Sequence, residues 1–145
     1  MMSSTRSASL EAAATSAREE RFPVSAIILT HNEEKNIAEC LRSLDWAEDV
    51  IVVDSHSMDG TLDVGVQVRP DVRIFSHPFQ DFGDQRNWAI DHTAPRHEWI
   101  LFLDADERCD AACTEAVQAA VRDPGDKVGF YLTCRNWFLG RWIRR

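Results

Sequence analysis

The sequence lacks the motifs with which the commonest nucleotide-binding folds hold phosphate. It has only six glycines, and neither Gly-x-Gly-x-x-Gly nor Gly-x-x-x-x-Gly-Lys-Ser/Thr occurs in it. Because both motifs wrap a glycine-rich loop around phosphate groups, a dinucleotide cradle and a P-loop are excluded. If the protein binds phosphate, groups outside such glycine-rich loops must bind it.

Long apolar runs and closely spaced cysteine pairs are also missing. No apolar stretch approaches the roughly 20 residues that cross a bilayer, and the N-terminus has no apolar core typical of a secretory signal. The four cysteines show no Cys-x-x-Cys spacing, which argues against a disulfide framework or a structural zinc site. We therefore expect a cytoplasmic protein with reduced, packed cysteines.

Charge is unevenly distributed along the chain. The formal net charge of -8 argues against general nucleic-acid binding. From Arg135 to Arg145, however, there are four arginines and no acidic residue, interspersed with aromatic side chains. This basic aromatic segment could contact an anionic membrane, such as the inner face of the plasma membrane, or could pack against residues that follow it in a longer chain.

Strand and helix patterns alternate through most of the chain. We expect residues 1–22, rich in Ala, Ser and Thr, to be a flexible leader and residues 23–145 to form one domain. Short β-branched runs predict strands at 24–29, 50–54, 72–75 and 99–104, separated by helical patterns, and the alternation at 128–134 predicts a half-buried strand. This order is typical of an α/β fold with a mostly parallel sheet and helices on both faces.

Polar side chains follow three of the predicted strands. They are Thr30 to Glu33, Asp54 with Ser55, and Asp104 with Asp106. The carboxyl ends of parallel strands meet at one edge of the sheet, where ligands of such folds bind. We therefore expect these groups to converge on one site.

Asp104 and Asp106 end the most apolar of these strands. If the strand continues to Asp106, their side chains share a face. Two carboxylates about 6 Å apart would repel by roughly 3 kcal/mol at an effective dielectric near 20, and a divalent cation would turn that repulsion into coordination. A solvated strand end that leads into the next helix is the alternative.

Asp54 also has two interpretations. Its carboxylate could accept hydrogen bonds from a base or ribose, or it could cap the turn near Ser57. His31 and His56 lie on the same rim, and we interpret them first as turn residues because histidine tolerates positive φ.

Arg86 is the best candidate for a phosphate-binding cation. It lies just inside a helix that we expect to open after Gly83 and Asp84, and a helix N-terminus and a guanidinium both favour anions. The alternative is a surface arginine paired with Asp84 or Asp91.

Four motifs in this order resemble the family 2 glycosyltransferases of the GT-A fold. They lie at residues 24–34, at 52–55 with 59–61, at 85–87 and at 103–107. The chain is most similar to the subgroup that includes lipopolysaccharide core β-glucosyltransferases, whose members also carry a stretch like residues 136–140. The resemblance covers the chain from Pro23 to its end.

The resemblance implies a site and a reaction. By this resemblance the donor is a nucleoside diphosphate sugar, expected to be UDP-linked. A hydroxyl of a glycan or lipid-linked saccharide in cell-envelope polysaccharide synthesis would attack it with inversion. The nucleotide pocket would comprise Thr30, Asn32, Glu33, Asp54, Ser55 and Asp59. Arg86 would approach the diphosphate, Asp104 the ribose, sugar or metal, and Asp106 the divalent cation, Mg²⁺ or Mn²⁺. His56 and Met58 stand where Gly and Thr are often seen.

The family's catalytic base is a carboxylate from the acceptor-side half, which we expect beyond Arg145. By this interpretation the fold is C-terminally truncated and residues 23–145 form its donor-binding portion. A non-catalytic nucleotide-sugar-binding module is the alternative. A nucleotidyltransferase would require a Gly-rich, basic loop after the first strand, which residues 30–35 do not provide.

Overall fold

The computed structural model describes residues 21–138 and 141–142. Over these residues the strands are β1 (Phe22–Thr30), β2 (Ala47–Asp54), β3 (Arg73–Ser76), β4 (Ile100–Asp104), β5 (Trp137–Phe138) and β6 (Arg141–Trp142). The helices are α1 (Ile37–Arg42), α2 (Thr61–Val68), α3 (Phe82–Thr93) and α4 (Ala111–Arg122). The leader expected at residues 1–22 lies outside the described residues except for its end, where Phe22 already belongs to β1.

A four-stranded parallel sheet forms the centre of the fold, in the order β3-β2-β1-β4. Its register pairs Thr30 with Asp54 and Leu29 with Asp104. The three polar strand ends therefore lie side by side, which confirms the convergence expected from the sequence.

Helices cover both faces of this sheet, as predicted. Ala26, Ile28 and Val52 point to one face, where they pack with residues of α1 such as Ile37 and Leu41. On the other face, side chains of β1 and β2 pack against Ala89 of α3. Burial on both sides explains why β1 and β2 consist of nearly continuous apolar runs.

A buried carboxylate holds the amino-terminal end of the sheet together. Asp49 of β2 is 1% exposed. It accepts hydrogen bonds from the hydroxyl of Ser25 in β1, the guanidinium of Arg73 in β3 and the backbone N–H of Arg96. Burial alone would raise the pKa of Asp49, but these donors outweigh it and hold the pKa below its usual value.

The prediction of a strand at 128–134 is wrong. These residues carry no strand pairing, and Val128 and Tyr131 are fully exposed. An alternating pattern describes a face, but a strand also needs a backbone partner, and none of the described strands pairs with this segment. The structure instead has a short antiparallel pair, β5 and β6, that the sequence did not predict.

Two helix boundaries also differ from expectation. Helix α3 begins at Phe82, ahead of Gly83 and Asp84, because the side chain of Asp81 caps it by accepting the N–H of Asp84 at 2.8 Å. Helix α1 ends at Arg42, so Leu44 lies beyond the helix while still buried in the core. No helix in the described part of the chain is long and apolar enough to span a membrane.

Candidate functional site

A cleft of about 360 Å³ opens at the carboxyl ends of β1, β2 and β4. It is lined by Leu29, Thr30, His31, Glu33, Ser55, Phe79, Phe82, Gln85, Asp104, Ala105 and Asp106. Five of the site residues named from the sequence thus line one cavity: Thr30, Glu33, Ser55, Asp104 and Asp106.

The acidic wall of the cleft is a turn and not a strand. Strand β4 ends at Asp104, the N–H of Glu107 donates to the carbonyl of Asp104 at 2.9 Å, and a Glu107 carboxylate oxygen accepts the N–H of Asp104 at 2.9 Å. Asp104 and Asp106 therefore do not share a strand face, although both line the cleft. Glu107, which had no assigned role, closes this turn and accepts the S–H of Cys134 at 3.1 Å.

Negative charge is concentrated at Asp104. Partial burial and the neighbouring carboxylates of Glu107 and Asp106 raise the pKa of Asp104, while Arg86 opposes the shift. The Arg86 guanidinium lies 3.8 Å from an Asp104 carboxylate oxygen and over the rings of Phe82 and Phe102. Arg86 therefore faces the acidic wall and is not paired with Asp84 or Asp91, its surface alternatives.

Asp104 and Asp106 are the two carboxylates of the acidic wall that line the cleft. Among the residues that the structure describes, no group of three metal-ligating side chains is positioned to hold an ion. Mg²⁺ commonly takes only one or two protein carboxylates and completes its shell with substrate phosphates and water. Asp104 and Asp106 could supply those carboxylates if an ion binds together with a phosphate ligand.

A polar floor, formed by Thr30, Ser55 and Gln85, lies between β1, β2 and α3. The N–H of Ser55 donates to the carbonyl of Thr30 at 2.9 Å, and the Gln85 amide nitrogen donates to the Ser55 hydroxyl at 2.9 Å. Thr30 Oγ1 and Gln85 Oε1 are buried without a hydrogen-bond partner among the described residues. Unsatisfied buried polar atoms are costly, and these two belong to residues that line the cleft.

Gln85 and two phenylalanines are site residues that the sequence did not indicate as such. Phe79 and Phe82 are 52% and 61% exposed and pack edge to face at the cleft mouth, with ring centroids 5.2 Å apart. Phe79 precedes α3 and Phe82 is its first residue, and exposed aromatic side chains in such positions carry no distinctive pattern. For Gln85 the signal was its place in the motif at 85–87, and for the two phenylalanines it was their position a few residues before Arg86.

Asp54 lies beneath the cleft and does not line it. The carboxylate of Asp54 is 2% exposed and accepts hydrogen bonds from both the N–H and the hydroxyl of Ser57. In this structure Asp54 therefore caps the turn after β2, the second of its two interpretations. His56 within that turn has a φ of 59°, as expected, whereas in the turn after β1 the positive φ of 53° falls on Asn32 and not on His31.

Asn32 and Asp59 line a neighbouring pocket of about 240 Å³, which shares Glu33 with the main cleft. The Asn32 side-chain oxygen accepts the N–H of Met58 at 2.8 Å, and an Asp59 oxygen accepts the N–H of Glu34 at 3.2 Å. Both side chains thus tie the turns after β1 and β2 together. These two predicted nucleotide-pocket residues lie beside the main cleft.

Known proteins with similar sequences are glycosyltransferases. The family described as Glycosyl transferase family 2 matches residues 25–144. The lipopolysaccharide core biosynthesis glycosyltransferase LpsC of Rhizobium meliloti (strain 1021) is 30% identical over 124 residues, which are 83% of this chain and 45% of LpsC. The prophage-derived glycosyltransferase SunS of Bacillus subtilis (strain 168) is 41% identical over 81 residues, which are 54% of this chain and 19% of SunS.

A solved structure shows the same arrangement of strands and helices. Residues 1–349 of S. aureus TarS in complex with UDP superpose with a TM-score of 0.59 at 28% identity, covering 72% of this chain and 34% of that chain. This chain thus spans less than half of each of these relatives. Because the family match extends over most of its length, the chain belongs to glycosyltransferase family 2, and its described sheet and helices have the GT-A architecture.

Proposed function

We propose that this chain is the donor-binding part of a metal-dependent, inverting glycosyltransferase. Its cleft would hold a UDP-linked sugar, which the whole protein would transfer to a hydroxyl of a glycan or lipid-linked saccharide in cell-envelope polysaccharide synthesis. The observation that carries this proposal is the convergence of unpartnered polar atoms and two carboxylates, from separate elements, in one cleft.

Two relatives support the finer parts of the proposal. The TarS structure was solved with UDP, which supports a uridine nucleotide as the donor's leaving group. LpsC is named for lipopolysaccharide core biosynthesis, which supports a cell-envelope saccharide as the acceptor.

We assign each group of cleft residues a separate role in this reaction. The polar floor would hold the nucleotide, and Arg86, fixed between Phe82 and Phe102, would neutralise charge on the departing diphosphate. Asp106, with Asp104, would ligate a divalent cation, which when bound supplies Lewis-acid stabilisation of that leaving group. The acceptor hydroxyl would attack the anomeric carbon from the face opposite the diphosphate, which inverts its configuration; the bond to the diphosphate would break, and a carboxylate base of the whole protein would take the hydroxyl proton.

Calorimetric titration with UDP, with and without MnCl₂, tests the proposal. We expect Mn²⁺ to tighten UDP binding by about 10-fold or more, an energy of at least about 1.4 kcal/mol. Asp106→Asn should remove this Mn²⁺-dependent gain. Asp91→Asn removes the same charge from an exposed position of α3 and should retain it.

Two results of these titrations would contradict the proposal. A wild-type chain that binds no UDP in either condition would contradict nucleotide binding. An Mn²⁺-dependent gain that persists in Asp106→Asn would contradict the assigned metal ligand.

A further inference from the structure

We propose that Glu107 is a positioning residue, which holds Asp104 and Asp106 in the arrangement that binds a divalent cation. This inference rests on the proposed function, which assigns the cation to these two aspartates. It adds a third carboxylate that touches neither the ion nor the nucleotide. Glu107 acts through hydrogen bonds to the backbone that carries the two ligands.

The turn that carries the two aspartates lies at an edge of the sheet. The described strands have the order β3-β2-β1-β4, so β4 has a partner strand on one side only. On that side the N–H of Ala105 donates to the carbonyl of Leu29 at 3.0 Å. Successive N–H groups of a strand point in opposite directions, so the N–H of Asp104 faces away from β1. An N–H at such an edge needs a partner other than a strand.

Glu107 provides this partner and binds both backbone groups of Asp104. Its Oε2 accepts the N–H of Asp104 at 2.9 Å, and its own N–H donates to the Asp104 carbonyl at 2.9 Å. A side chain that reaches back to an N–H three residues earlier has the geometry of a capping box, in which Glu and Gln both serve. Ala105, between the two aspartates, is 2% exposed and packs in the core. The backbone next to Asp106 is therefore fixed.

The second carboxylate oxygen of Glu107 also has a protein donor. Oε1 accepts the S–H of Cys134 at 3.1 Å. Both oxygens of Glu107 are thus engaged within the protein, whereas Asp104 and Asp106 line the open cleft. This difference assigns Glu107 the role of a support and the two aspartates the role of ligands. Replacing a residue that supports metal ligands typically weakens metal binding by about 10- to 100-fold.

Titration of the UDP-loaded chain with MnCl₂, with electron paramagnetic resonance used to measure free Mn²⁺, tests this inference. Glu107→Met keeps the length of the side chain and removes both acceptors, so Mn²⁺ binding should weaken by about 10-fold or more. Glu107→Gln keeps an oxygen for the Asp104 N–H, so Mn²⁺ affinity should stay within about 3-fold of wild type. Glu115→Met, at an exposed position of α4, is the matched control and should bind Mn²⁺ as wild type does.

The glutamine variant separates a support from a ligand. If Glu107→Gln loses as much Mn²⁺ affinity as Asp106→Asn, Glu107 binds the ion itself and the inference is overturned. A folded Glu107→Met chain with wild-type Mn²⁺ affinity also overturns it. Both results leave the proposed function standing, whereas a wild-type chain that binds no Mn²⁺ in the presence of UDP overturns both.

A second variant covers the case in which thermal melting shows that Glu107→Met does not fold. Glu107→Ala removes the same two acceptors without placing a long apolar side chain at the edge of the cleft. Its Mn²⁺ affinity must then fall by about 10-fold or more relative to Glu115→Ala. Equal affinities in these two variants overturn the inference.

Discussion

At the scale of single residues, the partners of a side chain decide its role more than its position in a motif does. Asp54 ends β2 in the expected place, yet both carboxylate oxygens accept hydrogen bonds from Ser57. Its charge therefore stabilises the turn that follows β2. The next residue, Ser55, lines the cleft instead.

His56, in the same turn, has a backbone conformation that favours glycine. The φ of His56 is 59°, a left-handed conformation that costs a non-glycine residue about 1–2 kcal/mol. Glycine would remove that cost but would lose more conformational entropy on folding. We expect His56→Gly to raise the free energy of unfolding by about 0.5–1 kcal/mol in urea denaturation, whereas His56→Ala should give no gain. A glycine variant no more stable than the alanine variant would contradict strain at this position.

The sequence identifies those site residues whose placement follows from chain order alone. Thr30, Ser55 and Asp104 directly follow or end strands, so a parallel sheet necessarily brings them to one edge. Gln85 could not be identified in the same way. Its side chain reaches the cleft because α3 packs against β2, where the Gln85 amide nitrogen donates to the Ser55 hydroxyl.

At the scale of elements, Asp49 connects the amino ends of three strands and the segment before the fourth. Its donors come from Ser25 of β1, Arg73 of β3 and Arg96. Replacing one partner of a buried charge network leaves the others uncompensated. We therefore expect Asp49→Ala to lower the free energy of unfolding at pH 7 by about 3 kcal/mol, and Asp126→Ala, at an exposed turn, to change it little.

The pH dependence of this variant provides a second readout. The pKa of Asp49 is lowered in the folded state, so the unfolded state binds the proton more readily. The stabilisation is present above the unfolded pKa of about 3.9 and is lost as the pH falls through the folded pKa. The stability difference between wild type and Asp49→Ala should therefore shrink in acid. If the stability difference between wild type and Asp49→Ala stays constant as the pH falls below about 3.9, an ionised Asp49 is not the source of the stabilisation.

Elements with a strong local signal were predicted well. The β-branched runs of β1 and β2 are buried on both faces, which leaves few alternatives to a central parallel strand. The segment at 128–134 shows the limit of such patterns. Phe130 packs on Trp99 with ring centroids 5.5 Å apart, but this contact does not provide the backbone pairing that a strand requires.

At the scale of the whole molecule, stability and binding are separated along the strands. The Asp49 network holds the amino ends of the sheet, while the cleft occupies the carboxyl ends. The exposed carboxylates and unpartnered polar atoms of the cleft can therefore be kept for a ligand, since the rest of the sheet is held by buried side chains and ion pairs. This division is consistent with ligand binding at the carboxyl ends in other α/β folds.

The most direct test of this account is a crystal structure of the chain with UDP and Mn²⁺, with anomalous scattering used to locate the manganese. We predict manganese in contact with Asp106 and the diphosphate, and the nucleotide in the cleft lined by Thr30, Ser55 and Gln85. Manganese distant from both Asp104 and Asp106, or a nucleotide in the neighbouring pocket of Asn32 and Asp59, would contradict it.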